Sequence, residues 1–156
     1  MNTATGTDFA LLVIGYGNTL RQDDSAGPRV IEQLETSAIP GVHLLACAQL
    51  SPEHAEAVAR ARAVVFVDAQ VGITSHVQLR KITPGESSQV TTHAAEPATL
   101  LALARDVYSR TPPAWMLTIP VERLGFGTDI SDTTRQGIDE AVYEVARLAS
   151  LLPGCL

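Results

Sequence analysis

Two aspartates stand side by side in the stretch VIGYGNTLRQDDSAG. Asp23 and Asp24 follow the turn-forming residues Gly15, Gly17 and Asn18. Carboxylates in such a place have two chemistries open to them. They can attract a cation, or they can accept the free N–H groups of a helix, whose first turn favours negative charge. A glycine turn after a strand also suggests a phosphate grip, but that fingerprint requires G-x-G-x-x-G, and Leu20 stands where the third glycine belongs. The acids would lie where phosphate oxygens should, so a cation suits the segment better than an anion. Gly15 and Gly17 are expected to let the chain turn sharply and approach a ligand closely. Asn18 would orient a nearby backbone group or carboxylate.

A third acid, Asp68, ends the apolar run VVFVDAQ. A carboxylate at the end of a buried strand is placed for function more readily than one on a surface helix. Of the histidines, His43, His54 and His76 read as surface or structural residues, whereas His93 lies in the TTHAAEP loop before a helix. Two carboxylates and an imidazole would form an oxygen/nitrogen site suited to zinc, nickel or a similar divalent ion. Other catalytic signatures are absent: no H-E-x-x-H, G-x-S-x-G, C-x-x-C or P-loop occurs. Cys47 and Cys155 lie far apart in the sequence, and Cys47 reads as a small buried hydrophobe rather than half of a disulfide.

These residues must be positioned by strands and helices that alternate. Phe9 to Ile14 is a continuous apolar run, as expected of a strand buried on both faces. Ala26, Val30, Ile31 and Leu34 recur at helical spacing from Asp24 to Leu34, with Asp23 or Asp24 suited to cap that helix. A strand over Val42 to Cys47, a short helix over Glu53 to Arg62 and a strand over Val64 to Val67 follow. HVQLRKI alternates and is more polar, as an edge strand should be. A helix from Pro97 to Tyr108, a strand from Trp115 to Ile119 and an amphipathic helix from Asp132 to Leu152 complete the series. Buried strands alternating with helices predict a three-layer α/β/α sandwich around a mostly parallel twisted sheet of about five strands, with flavodoxin- or phosphorylase-like architecture. If the first strand lies beside the third, Asp24 and Asp68 converge at the switch point where such sheets bind ligands.

At 156 residues and 46% hydrophobic, the chain has the size and composition of one domain spanning 1–156. Its formal net charge of −6 argues against a nucleic-acid partner or an anionic membrane surface. No stretch is apolar enough to span a bilayer and the polar beginning is unlike a signal peptide, so a cytoplasmic monomer is expected.

Taken together, GYGNTLRQDDSAG, the FVDA segment and the histidine loop resemble the hydrogenase maturation proteases. These endopeptidases remove a C-terminal extension from the large subunit of nickel-iron hydrogenases. The family pattern is a strand, G-x-G-N, an acid pair opening a helix, a strand ending in D-A, and a later loop histidine. Here Gly15, Gly17, Asn18, Asp23, Asp24, Asp68, Ala69 and His93 stand at those places. Ser25 departs from the pattern, since many members have glycine there. The segments AQLSPEHAEAVA, PPAWMLTIP and FG-x-x-I-S look like the subgroup acting on cytosolic, NAD-linked or related hydrogenases. The resemblance implies a peptidase of aspartic or metal-dependent type in which Asp24, Asp68 and His93 meet nickel carried by the precursor; zinc or cadmium could take the same place. It implies Asp24 and Asp68 as catalytic groups. It makes Gly15, Gly17, Asn18, Asp23, Gln49 and Glu53 candidates for seating the substrate. A non-catalytic maturation scaffold and a nucleotide-binding module are the alternatives.

Overall fold

The computed structural model describes residues 8–72, 75–86 and 95–155. Five strands form one sheet: β1 (Leu11–Tyr16), β2 (Val42–Cys47), β3 (Val64–Gln70), β4 (Gln78–Ile82) and β5 (Ala114–Pro120). The helices are α1 (Ala26–Ser37), α2 (Ala55–Ala59), α3 (Pro97–Tyr108) and α4 (Asp132–Ser150). The strand order is β2-β1-β3-β5-β4. All neighbours are parallel except β4, which runs antiparallel to β5. The α/β/α sandwich expected from the alternation is thus observed.

Position in the sheet explains each strand's composition. Leu11 to Ile14 and Val64 to Val67 are fully buried, because β1 and β3 are central strands covered on both faces. One face packs Val13, Val65 and Leu117 beneath α1 and α4. The other packs Leu12, Ile14 and Phe66 beneath α2 and α3, against side chains such as Val58 and Leu100. Burying such side chains contributes about 1.5–3 kcal/mol each before the entropy of ordering is subtracted. The edge strand β4 carries exposed Gln78, Arg80 and Lys81, and charge there discourages pairing with another chain.

Two differences from the sequence reading matter at the site. First, β1 continues through Gly15 to Tyr16, so Gly15 is a strand residue and not part of the turn. A Cβ at Gly15 would lie 2.2 Å from the Gly27 carbonyl oxygen and 2.7 Å from Ile31 Cγ1. Gly15 is buried and lets α1 pack directly on β1. Second, α1 begins at Ala26 behind a short 3-10 turn, Gln22–Ser25, and neither Asp23 nor Asp24 caps it. Both carboxylates are engaged elsewhere.

Candidate active site

With β1 beside β3, Gly15 pairs with Val67, so the next residues along, Tyr16 and Asp68, emerge side by side at the carboxyl end of the sheet. Alternation along the strands puts Tyr16 on the face of Leu12 and Ile14, and Asp68 on that of Val64 and Phe66. Both side chains consequently reach the α2/α3 side. The Tyr16 side chain lies against Asp68, close enough for its hydroxyl to favour the charged carboxylate. The Ala69 N–H donates a hydrogen bond to Asp68 Oδ1, at 2.8 Å.

Asp68 is half-buried, and its surroundings set its proton affinity. Burial pushes the carboxyl up to about 6, and the charge of Asp24 adds to this. The Ala69 hydrogen bond and the Tyr16 hydroxyl oppose the rise without cancelling it. A carboxyl balanced near neutrality can both take and return a proton, as general acid-base chemistry requires. Tyr16 is itself held protonated, its pKa raised first by burial and then by the negative charge of Asp68. It serves as a fixed donor.

Asp68 and Tyr16 open into a cavity of about 580 Å³ whose other walls include Arg80 and Ile82 of β4, Met116 of β5 and Glu96 before α3. Asp24 stands outside these walls. Its Oδ2 accepts the Asn18 N–H at 2.7 Å, closing the loop after β1 on itself. Gly17 makes that closure possible: its φ is +151°, and a Cβ would sit 2.0 Å from the Asp24 carbonyl oxygen. Asn18 in turn accepts the Leu20 N–H through Oδ1 at 2.9 Å, so it orders the loop as expected.

Asp23 has a different part. It is fully buried and accepts from the N–H groups of Glu122, Arg123 and Ser131 and from the Ser131 hydroxyl, at 2.8–2.9 Å. Burial works to raise its pKa, but these bonds outweigh it and leave the carboxyl below its ordinary range. With no face toward solvent, Asp23 anchors the 122–131 loop. Gln49 and Glu53 are exposed on the segment after β2. Leu50 there accepts the Ala95 N–H at 3.0 Å, so the segment borders the start of α3, yet neither side chain lines the cavity.

His93 lies outside the described residues. The three described histidines are occupied: His43 stacks on Phe9, His54 caps Ser51, and His76 meets Glu140. Cys47 is half-buried rather than enclosed. Among the described residues no three His, Cys, Asp or Glu side chains gather to hold a metal ion. Asp24 and Asp68 are oxygen donors that could add to the coordination of an ion whose remaining ligands come from elsewhere.

The shape of this arrangement has close counterparts. The structure of the hydrogenase maturating endopeptidase HybD from E. coli superposes with a TM-score of 0.71 at 20% identity, covering 91% of this chain and 93% of that one. The [NiFe] hydrogenase maturation protease HybD from Thermococcus kodakarensis gives 0.69 at 19%, covering 90% and 99%. An endopeptidase from Escherichia coli solved in solution gives 0.70 at 22%, covering 89% and 91%. The chain has the hydrogenase maturation protease fold. No family model matches it by sequence, and no curated protein does so either.

Within this maturation protease fold, the sequence reading brought Asp24 and Asp68 to one end of the sheet, and their charges do interact. It missed Tyr16. The signal was present, since extending the first strand through Gly15 would have set Tyr16 opposite Asp68 on the same face. Among the described residues, no helix is long and apolar enough to cross a membrane.

Proposed function

We propose that this protein is an endopeptidase that removes the C-terminal extension of a nickel-iron hydrogenase large-subunit precursor after nickel insertion, acting as a monomer. One observation carries the proposal: Asp68, with a pKa near neutrality, faces a peptide-sized cavity within reach of the charge of Asp24, on a fold shared with maturation endopeptidases. Asp68 takes a proton from a water as that water attacks the scissile carbonyl. It then returns the proton to the leaving amine nitrogen, so the peptide bond is exchanged for a carboxyl and an amine. Tyr16 holds the Asp68 carboxylate in place throughout.

Nickel belongs to the substrate. Asp24 and Asp68 approach it with oxygen donors, His93 supplies an imidazole, and binding places the scissile bond beside Asp68. Gly17, Asn18, Gln49 and Glu53 border the path of the extension. Because two described acids cannot close a coordination shell alone, recognition depends on ligands that the loaded precursor brings with it.

The test is cleavage of purified precursor, nickel-loaded and nickel-free, followed by mass spectrometry. Loss of the extension from the loaded precursor alone is expected, and Asp24→Ala and Asp68→Ala should abolish it. A precursor that is bound but never shortened would sink the proposal in favour of a scaffold.

A further inference from the structure

Leu20 and Phe126 are 65% and 92% exposed, although each sits on a backbone fixed by hydrogen bonds. Arg21 and Gly127 form a parallel β-bridge, in which Gly127 N–H donates to the Leu20 carbonyl at 2.8 Å and Gln22 N–H to the Gly127 carbonyl at 3.0 Å. This register sets Leu20 beside Phe126, about one strand spacing or 4.8 Å apart at the backbone. Further bonds brace the pair. The Arg21 guanidinium donates to the Leu124 carbonyl at 2.7 and 3.1 Å, the Gln22 side chain accepts from Gly125 N–H at 3.1 Å, and buried Asp23 pins both ends of the 122–131 loop. A single exposed apolar side chain is ordinary, but two of them displayed from neighbouring, hydrogen-bonded backbone segments are the arrangement of a binding contact.

We propose that Leu20 and Phe126 are a paired apolar anchor that docks into a recess on the body of the folded substrate protein, apart from the segment that enters the cavity. The inference rests on the protease reading for the identity of that substrate. Its position supports it: Leu20 lies between Asn18 and Asp24, which are bonded to each other, so the anchor and the acid share one rim. The hydrogen-bonded backbone supports it too, because the loop that carries the two side chains needs no ordering on contact. Two side chains fall far short of the ~800 Å² per partner of a stable stand-alone interface. They suit a partner that is also held at the cavity better than a second copy of this chain.

The experiment compares the wild type, Leu20→Ser/Phe126→Ser, Phe126→Lys and the control Tyr143→Ser, an exposed residue on α4. Dissociation constants for the nickel-loaded precursor are measured together with KM, kcat and thermal melting. The double variant should bind about 30-fold more weakly, with KM raised in parallel and kcat within about twofold, while Tyr143→Ser matches the wild type. Should the double variant fail to fold, Phe126→Lys alters a side chain that is almost wholly in solvent and must still weaken binding about tenfold. Unchanged binding by a folded variant would overturn the proposal. So would a wild-type dimer in light scattering that the double variant dissociates. Binding without cutting by the wild type would end the protease reading and leave the comparison of dissociation constants to decide the anchor.

Discussion

The two sides of the site's rim are built in opposite ways. On the α1/α4 side, Asp23 is enclosed, accepts four hydrogen bonds and has a lowered pKa. On the α2/α3 side, Asp68 is half-open, accepts one backbone N–H with the Tyr16 side chain alongside, and has a pKa raised to about 6. Burial works upward on both carboxyls, so burial does not separate them. The number of donors does. Where donors saturate the carboxylate, charge is retained and becomes a structural anchor; where they fall short, the proton stays available for chemistry.

Breaking each side should therefore give a different phenotype. Replacing Asp68 by Asn preserves shape and removes both the proton acceptor and one carboxylate toward nickel. Cleavage of loaded precursor should fall by about 10³-fold or more, a larger loss than the accompanying weakening of precursor binding. A residual rate within tenfold of wild type would place the acid-base group elsewhere. Replacing Asp23 by Ala removes the acceptor of the partly buried Glu122 and Arg123 N–H groups and of the buried Ser131 N–H and hydroxyl. Chemical denaturation should show a loss of about 3–5 kcal/mol, with hydrogen exchange of residues 122–131 increasing most. Stability within 1 kcal/mol of wild type would show that the loop does not depend on its anchor.

Much of this division was legible in the residues, and the rest was hidden for definite reasons. The apolar runs of β1 and β3 and the polarity of β4 reported their depth in the sheet directly, whereas the convergence of Asp24 and Asp68 depended on β1 lying beside β3, which the runs alone do not dictate. Asp23 could not be separated from Asp24 in this way. Its partners lie on the segment before α4, and no local pattern announces so distant a contact. Gly15 and Gly17 also look alike as letters, although one admits a helix backbone and the other a strained turn. Tyr16 was obscured because glycine reads as the end of a strand, whereas here the strand passes through it under cover of α1.

The same contrast has a thermodynamic signature. The folded Asp68 pKa of about 6 exceeds the ordinary 3.8, so the folded state binds more protons than the unfolded state between those values. Stability contributed by this group is thus greatest below about pH 4, declines as pH rises to about 6, and stays reduced above it. Asp68→Asn should therefore stabilise the protein at pH 7–8 by about 1–2 kcal/mol, allowing for solvent at the site, with no gain near pH 4. Melting temperatures across that range provide the check. An equal gain at both ends would assign the effect to packing instead of charge.

The smallest effect separates Tyr16 from Asp68. If Asp68 acts as the base, the acid limb of kcat/KM should lie near pH 6, because activity is lost as the carboxyl takes up its proton. The Tyr16 hydroxyl stabilises the charged form, so Tyr16→Phe should raise the Asp68 pKa and move that limb toward alkaline pH by about one unit. Activity at pH 8 should be nearly retained, since the carboxylate is charged there with or without its donor. A uniform loss at every pH would show that Tyr16 contacts the reacting groups directly. A limb that stays in place while activity holds would show that the Tyr16 hydroxyl does not govern the Asp68 proton.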